Sequence, residues 1–496
     1  MLIAVDQGTT NTKALLIDRD GATLYKTVLG TPIQIAPNGE ISQDLDCLWQ
    51  STLGVIKRCV AWARDSNRAI DGLCLTNQRE TAAAWDRETG APLAAAISWQ
   101  CRRSSPVCDR LSQSASNIQR STGLPLDPLL SATKWAWMLE HEELVQQAAG
   151  RGTLALGTID AWLLFRLTCG KAHTTDTTNA SRTGLLNLER IEWDESLLSL
   201  FGIEAVWLPE IAPSATTFGM FDLDRGANSI PIVAVSGDSH AALIGHGEFA
   251  MGTVKATYGT GSSLIALVPS SATRETRLAR TIAWTLPGSD LRSATTYALE
   301  GNITMSGAAL QWVGEFLGLE DPAATAARLA MQVADADGVV FVPAMAGLGA
   351  PHWNPRVAGL VAGLRHHHRA AHLARAALDA ITMQVADVFD AMQSEGGTEL
   401  TSLRADGGAT RNDVLMQLQA DALGVPVHRS SQEELSALGI ARLGGFTLGW
   451  WKDLESATVL QRSVDVFSPS KTTYSQSTRE AWRLALKRTT AEEERR

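Results

Sequence analysis

The sequence predicts an α/β protein with two domains of like construction facing a cleft. Apolar strand-like runs alternate with segments of helical spacing along all 496 residues. Two strand–turn–strand segments with Gly/Thr turns, "LIAVDQGTTNTKALLI" and "TVKATYGTGSSLIALV", lie half a chain apart. The length suits two or three domains at about 100–200 residues each. The expected division is residues 1–246 and 247–496, with the boundary near Gly247 and no Pro- or Ser-rich linker to mark it.

Taken in order, "LIAVDQGTT" and "KALLIDRDG" read as strand, turn, strand, with "DRDG" a hairpin turn into "ATLYKTVL". "DLDCLWQSTLGVIKRCVAWA" sets Leu48, Val55, Cys59 and Trp62 at helical spacing. "AIDGLCLTN" is a buried strand ending in the polar "NQRET", and strand ends in α/β proteins are where ligand groups sit. "TKWAWMLEHEELVQQA" and "GTIDAWLLFRLT" each read as one helix, and "IPIVAVSGDSHAALIGHG" as strand, polar turn and small-residue helix. In the second half, "YALEGNITMSGAALQWVGEFLG" is a strand running into a helix. "GVVFVPAMAGLGAPHWNPRVAGLVAGL" holds two strands about a Gly/Pro loop. "AAHLARAALDAITMQVADVFDAM" is the longest helix, and "SLRADGGATRNDVLMQLQADALGVPVHR" is strand, Gly-Gly turn, helix, strand. "SALGIARLGGFTLGWW" is a small-residue helix whose tryptophans serve packing or an interface, and the tail "AEEERR" reads as frayed.

Composition narrows the function classes. Hydrophobic residues make up 45% and charged residues 19%, ordinary globular usage with enough length for large cores. The net charge is −10 and the pI about 5.5, which argues against non-specific nucleic-acid binding. It leaves room for a bound anion, because backbone N–H groups can hold one on an acidic protein. No apolar run reaches the ~20 residues of a membrane span. The N-terminus lacks the basic, apolar and small-residue succession of a leader. The six cysteines contain no CxxC pair, which fits reduced thiols in the cytoplasm and disfavours zinc.

Five segments carry candidate chemistry. Gly8, Thr9, Thr10 and Lys13 in the first hairpin, and Gly259, Thr260, Gly261 and Ser262 in the second, offer amides and hydroxyls to the phosphates of ATP; taken alone, each is more often a plain Gly turn. Asp6 ends an apolar strand, where a carboxylate wants a partner such as Mg²⁺-bound water. "DGGATRND" presents amides and room for a planar base, or is a tight turn with an Asp cap. Asp238 in "SGDSHAA" could take a proton from a substrate hydroxyl or cap a helix, and His240 is the rival base. Arg79 and Glu80 could hydrogen-bond a polyol or form a surface ion pair. The adjacent histidines of "RHHHR", residues 365–369, are not expected to converge on a metal ion.

Together, "DQGTTNTKALLID", "NQRET", "SWQCRR", "DAWLLFRLT", "TTNASRT", "GDSHAALIG", "TYGTG", "YALEG", "GLGAPHWNP", "LRADGGATRNDVLMQLQADALGVPV" and "ALGIARLGG" resemble the FGGY family of sugar and polyol kinases, most of all the glycerol kinases. The resemblance implies two actin/hexokinase-like (ribonuclease-H-like) α/β domains around an ATP cleft. It implies ATP and Mg²⁺ as cofactors, a homodimer or tetramer, and no nucleic-acid or membrane partner. By the same resemblance Asp6 would position Mg²⁺, and Thr9, Thr10, Asn11 and Lys13 would meet the terminal phosphates. Gly259, Thr260 and Gly261 would hold the β/γ region, and Gln311, Gly407, Gly408 and Asn412 the adenosine. Arg79, Glu80, Trp99, Asp238 and Ser239 would bind the polyol, with Asp238 as general base.

The departures bear on the substrate. Glycerol kinases usually carry a tyrosine in the motif that here reads "DPLLSATK", where Leu129 stands. A bulky aromatic usually follows the "TYGTG" loop, where Ser263 stands, and their "GDQQAAL" is "GDSHAAL" here. These differences imply a wider, more polar pocket, so the implied acceptor is glycerol, with a tetritol, pentitol or pentulose such as xylulose as the rival. An actin-like ATPase or binding module would share the phosphate hairpins but would not need "NQRET", "SWQCRR" or Asp238.

Overall fold

The computed structural model describes residues 1–223, 229–247, 249–273, 276–460, 464–470 and 476–493. The end of the tail read as frayed, residues 494–496, lies outside them. The chain forms two compact units. The first is Met1–Phe249 with Arg280–Ala298 and Glu434–Gln461; the second is Ala250–Ala279 with Leu299–Glu433 and Arg462–Arg496. A single cut near residue 247 therefore does not separate them, because two later stretches return to the first unit.

The first unit is built on a six-stranded sheet in the order Gly219–Asp222, Ser229–Gly237, Gly72–Asn77, Leu2–Gln7, Asn11–Ile17, Thr23–Gly30. The three central strands run parallel. Leu2, Ile3, Ala4 and Val5 are all fully buried, as expected for a strand covered on both faces. The helix Leu45–Asp65 starts at Asp44, whose carboxylate accepts from the Cys47 amide, and buries Leu48, Val55 and Cys59. A smaller sheet includes Ala82–Asp86 paired with Leu154–Thr158, and Gly157 lies where a Cβ would meet the Trp85 ring at 2.7 Å.

Two helical readings need correction. "TKWAWMLEHEELVQQA" is two helices, Ser131–His141 and Glu143–Arg151, with Glu142 extended between them. The apolar period runs on through the break, but the second helix turns to bury Val145 and Ala148, so tertiary packing overrides local propensity. In "GTIDAWLLFRLT" the first two residues close a strand, and the helix is Ile159–Leu167.

One packing contact places the site. The helix Leu435–Thr447 lies on the helix Asp238–His246 with almost no side chain between them. A Cβ on Gly439 would sit 1.7 Å from the Ala241 oxygen, and one on Gly245 would sit 2.2 Å from the Leu435 oxygen.

In the second unit, Thr253–Tyr258 pairs antiparallel with Ser262–Val268 and parallel with Ser402–Asp406. Val427–Ser430 and Val464–Phe467 continue the sheet. The 26-residue helix Ala370–Glu395 is the core of this unit and the longest described. No described helix is long and apolar enough to cross a membrane.

Because neither backbone can retreat at Gly439, Gly439→Val is expected to lower the melting temperature by about 5 °C or more in calorimetry. An unchanged transition would show that the helices can separate without cost.

Candidate active site

The hairpin after Leu2–Gln7 turns at Gly8–Asn11, closed by the Gly8 amide on the Asn11 oxygen at 2.9 Å. Among the described residues, the Thr9 and Thr10 amides have no hydrogen-bond partner. The turn is braced from outside: Trp99 Nε1 donates to Thr9 Oγ1 at 2.9 Å, and Gln43 Nε2 to the Thr9 oxygen at 2.8 Å. Thr10 and Asn11 stay exposed. Asp6 and Lys13 are directly opposite across the antiparallel pair, so their side chains share a face.

Asp6 is electrostatically uneasy. Burial pushes its carboxyl up to about 7, and the Asp238 charge pushes it the same way. Lys13 pulls it down, and Glu434 raises it again. Its carboxylate has no hydrogen-bond partner among the described residues, which suits a site for a cation.

Asp238 opens its helix as the first helical residue; the cap position is Gly237. Asp238 therefore does not cap the helix. Its Oδ1 accepts the Ser239 amide at 2.7 Å and lies 3.2 Å from Arg79 Nε. Arg79 Nη2 also reaches Ser239 Oγ at 3.3 Å. Asp238 keeps 38% of its side chain exposed, whereas Arg79 keeps 7%. His240, the rival base, is fully buried with Nε2 3.3 Å from Thr281 Oγ1, so it is built into the core.

Arg79 and Glu80 are not a surface pair. Glu80 is 4% exposed and has a left-handed backbone, φ 61°. Its Oε1 takes Arg182 Nε at 2.6 Å, and its carbonyl takes Ser131 Oγ and Lys134 Nζ, each at 3.1 Å. Lys134 is fully buried and also donates to the Leu129 carbonyl; burial pulls its ammonium down to about 8. Arg102 joins Asp127 through two bonds of 2.9 and 3.3 Å, which ties "SWQCRR" to the Leu129 segment. Trp99, 38% exposed, stands beside these groups with its amide on Thr81 Oγ1.

In the second unit the Gly259–Gly261 turn docks on the helix Gly307–Phe316. The Ser306 and Ala308 amides donate to the Thr260 oxygen at 2.9 and 3.1 Å, and the Gly307 amide to the Gly259 oxygen at 2.9 Å. Gly261 is required, because a Cβ there would lie 2.3 Å from the Ile303 oxygen. Thr260 remains exposed, but Ser262 turns inward to Ser306 Oγ at 2.7 Å and is not a free donor in the loop. Gly407 has φ 96° against Tyr258, and Asn412 caps the helix Asp413–Leu423 by accepting the Leu415 amide, so the cap is Asn412 and not an Asp. Gln311 lies on an exposed helix face, bonded to Glu315 at 2.6 Å. No hydrogen bond joins Gln311 to the Gly407–Asn412 turn among the described residues.

In "RHHHR", His367 and His368 converge on Asp337, with their Nε2 atoms 2.7 and 3.4 Å from its Oδ2. His368 Nδ1 accepts the Arg365 amide at 2.8 Å, so Nε2 carries the proton and donates to the Asp337 carbonyl oxygen at 3.1 Å. The arrangement works as a hydrogen-bond cluster.

Three residues escaped the sequence reading. Arg182 and Lys134 lie in quoted motifs, but nothing local says they meet Glu80. Glu434 binds Lys13 across 421 residues of chain, and Lys26 as well, with no local signal for either.

Removing one partner of a buried pair strands the other, at about 3–5 kcal/mol. Arg182→Met is therefore expected to lower the melting temperature by several degrees, and Arg182→Met with Glu80→Gln to recover most of the loss. Equal losses in both variants would show that the loss does not come from stranding the Glu80 carboxylate.

Comparison with known proteins matches these segments to one group. The N-terminal domain of the FGGY family of carbohydrate kinases matches residues 1–245, and its C-terminal domain residues 254–448. An apulose kinase of Pectobacterium atrosepticum is 42% identical over 495 residues, covering 98% of both chains. A glycerol kinase of a Geobacter species is 44% identical over 451 residues, covering 90% of each. Among solved structures, a Plasmodium falciparum glycerol kinase with ADP superposes with a TM-score of 0.90 at 30% identity, covering 98% of both chains. The chain belongs to the FGGY family of carbohydrate kinases.

Proposed function

We propose that the protein transfers the γ-phosphoryl group of ATP to a primary hydroxyl of a small polyol, with glycerol as acceptor and glycerol 3-phosphate as product. The observation that carries this is the Asp238–Arg79–Ser239 group: an exposed carboxylate at a helix start, oriented by a buried guanidinium 3.2 Å away. The acceptor oxygen attacks Pγ, the bond from Pγ to the β-phosphate oxygen breaks, and Asp238 takes the hydroxyl proton. Such transfer needs positioning and charge neutralisation more than strong basicity. Arg79, Glu80, Trp99 and Ser239 hold the acceptor hydroxyls and one apolar wall.

Thr9, Thr10, Asn11 and Lys13 meet the terminal phosphates, and Gly259, Thr260 and Gly261 the β/γ region. Gln311, Gly407, Gly408 and Asn412 line the adenosine. The donor set around Asp6 fits Mg²⁺, a hard cation that takes oxygen ligands and neutralises phosphate charge when bound. The first unit supplies the polyol residues and the second the adenosine residues. We place the enzyme in the cytoplasm as a homodimer or tetramer.

A second reading has its own support. Leu129 offers no hydroxyl beside Glu80, and Ser263 spends its Oγ on Glu300 at 3.1 Å. With the apulose kinase alignment running the length of both chains, these favour a larger acceptor such as a tetritol, pentitol or pentulose.

The test is ADP release from ATP and Mg²⁺ with glycerol, then with C4 and C5 polyols and ketoses. The highest kcat/KM for glycerol supports the first reading; a poor glycerol rate with a good longer acceptor supports the second. No polyol-dependent ADP release would overturn both. Asp238→Asn is expected to lower kcat by about 10²–10⁴-fold with nucleotide affinity retained, and unchanged turnover would remove Asp238 as base.

A further inference from the structure

We propose that Glu434 is a positioning residue for the terminal phosphates and acts through Lys13; this rests on the reading of Lys13 as a phosphate contact. The chain re-enters the first unit at Glu434, immediately ahead of the helix Leu435–Thr447. Its side chain is 12% exposed, and its two oxygens are divided between two lysines. Oε2 lies 2.9 Å from Lys13 Nζ and Oε1 lies 2.6 Å from Lys26 Nζ.

A carboxylate beside a phosphate site would ordinarily repel the ligand. Here it stands between two ammonium groups, so the three together carry one net positive charge. An ammonium has three donors, so a bond to Glu434 does not exclude a bond from Lys13 to a phosphate oxygen. A lysine side chain loses much rotamer freedom when fixed. Fixing Lys13 before the nucleotide arrives removes that cost from binding.

The backbone around Glu434 is itself held. The Leu435 oxygen lies against Gly245, and Ser436 Oγ donates to the Asp238 carbonyl at 3.1 Å. One turn of chain thus touches both the Lys13 hairpin, through Glu434, and the backbone of Asp238, through Ser436. Positions 13, 238 and 434 are held in register by these contacts.

The test is a double-mutant cycle on the full-length protein with Glu434→Gln, Lys13→Met and both. The readouts are the dissociation constant of a non-hydrolysable ATP analogue with Mg²⁺ by calorimetry, KM for ATP, and KM for the best acceptor. Glu434→Gln is expected to weaken analogue binding about tenfold and leave the acceptor KM nearly unchanged, with no further loss when added to Lys13→Met. Fully additive losses, or an acceptor KM that rises in step, would overturn the proposal. Lys26→Met keeps Glu434 and removes its second anchor; it should weaken analogue binding by a smaller factor, and it carries the test if Glu434→Gln does not fold. If Lys13→Met leaves analogue binding unchanged, the phosphate reading of Lys13 fails and this proposal falls with it. Normal Lys13 dependence with no effect of Glu434→Gln sinks the Glu434 proposal alone.

Discussion

The helices Asp238–His246 and Leu435–Thr447 meet backbone to backbone at Gly245 and Gly439, and a Cβ at either glycine would fall inside bonding-forbidden distance of a carbonyl oxygen. Two segments almost 200 residues apart are thereby locked in register. One begins with Asp238 and the other follows directly on Glu434. The Ser436 hydroxyl on the Asp238 carbonyl reinforces the same register. A side chain at this contact would move one helix start and with it a charged group. Interiors are too densely packed to absorb such a shift elsewhere.

On that frame the first unit gathers opposed charges at close quarters. Asp6, Asp238 and Glu434 are acids; Lys13, Lys26 and Arg79 are bases. Asp238 has Arg79, and Glu434 has both lysines, but Asp6 has only the charge of Lys13 across the strand pair and no hydrogen-bond partner among the described residues. A carboxylate left in that position is stabilised by a cation. The asymmetry is the physical basis for assigning Mg²⁺ to Asp6 in the proposed function, and for keeping Lys13 and Arg79 for phosphate and acceptor.

The surroundings of Glu80, the proposed acceptor side, are stiff for a different reason. Glu80 sits in a left-handed conformation that non-glycine residues seldom adopt, at a cost of about 1–3 kcal/mol. Ser131, Lys134 and Arg182 hold it there through its carbonyl and carboxylate. Lys134 bonds the Leu129 carbonyl as well, so position 129 is set relative to Glu80 by one ammonium. Under the proposed function, the residue type at 129 alters which acceptor hydroxyls are matched without disturbing Glu80.

The sequence by itself determined the two-unit α/β class, the strand–Gly turn–strand hairpins and most element types. Each of these is written in local periodicity and turn chemistry: the fully apolar Leu2–Val5 run, the Gly-Thr-Thr turn, the small-residue helices. It also placed Asp238 at a strand end and Arg79 beside Glu80, because polar residues at strand ends stand out against apolar runs. It did not determine that residues 280–298 and 434–461 return to the first unit, or that Glu142 divides a helix. The tertiary structure decided that His240 and Ser262 face inward, and that Arg182, Lys134 and Glu434 are joined to the site. Those outcomes depend on which surfaces meet across hundreds of residues. Burial and charge pairing between distant segments leave no periodic trace in a single chain.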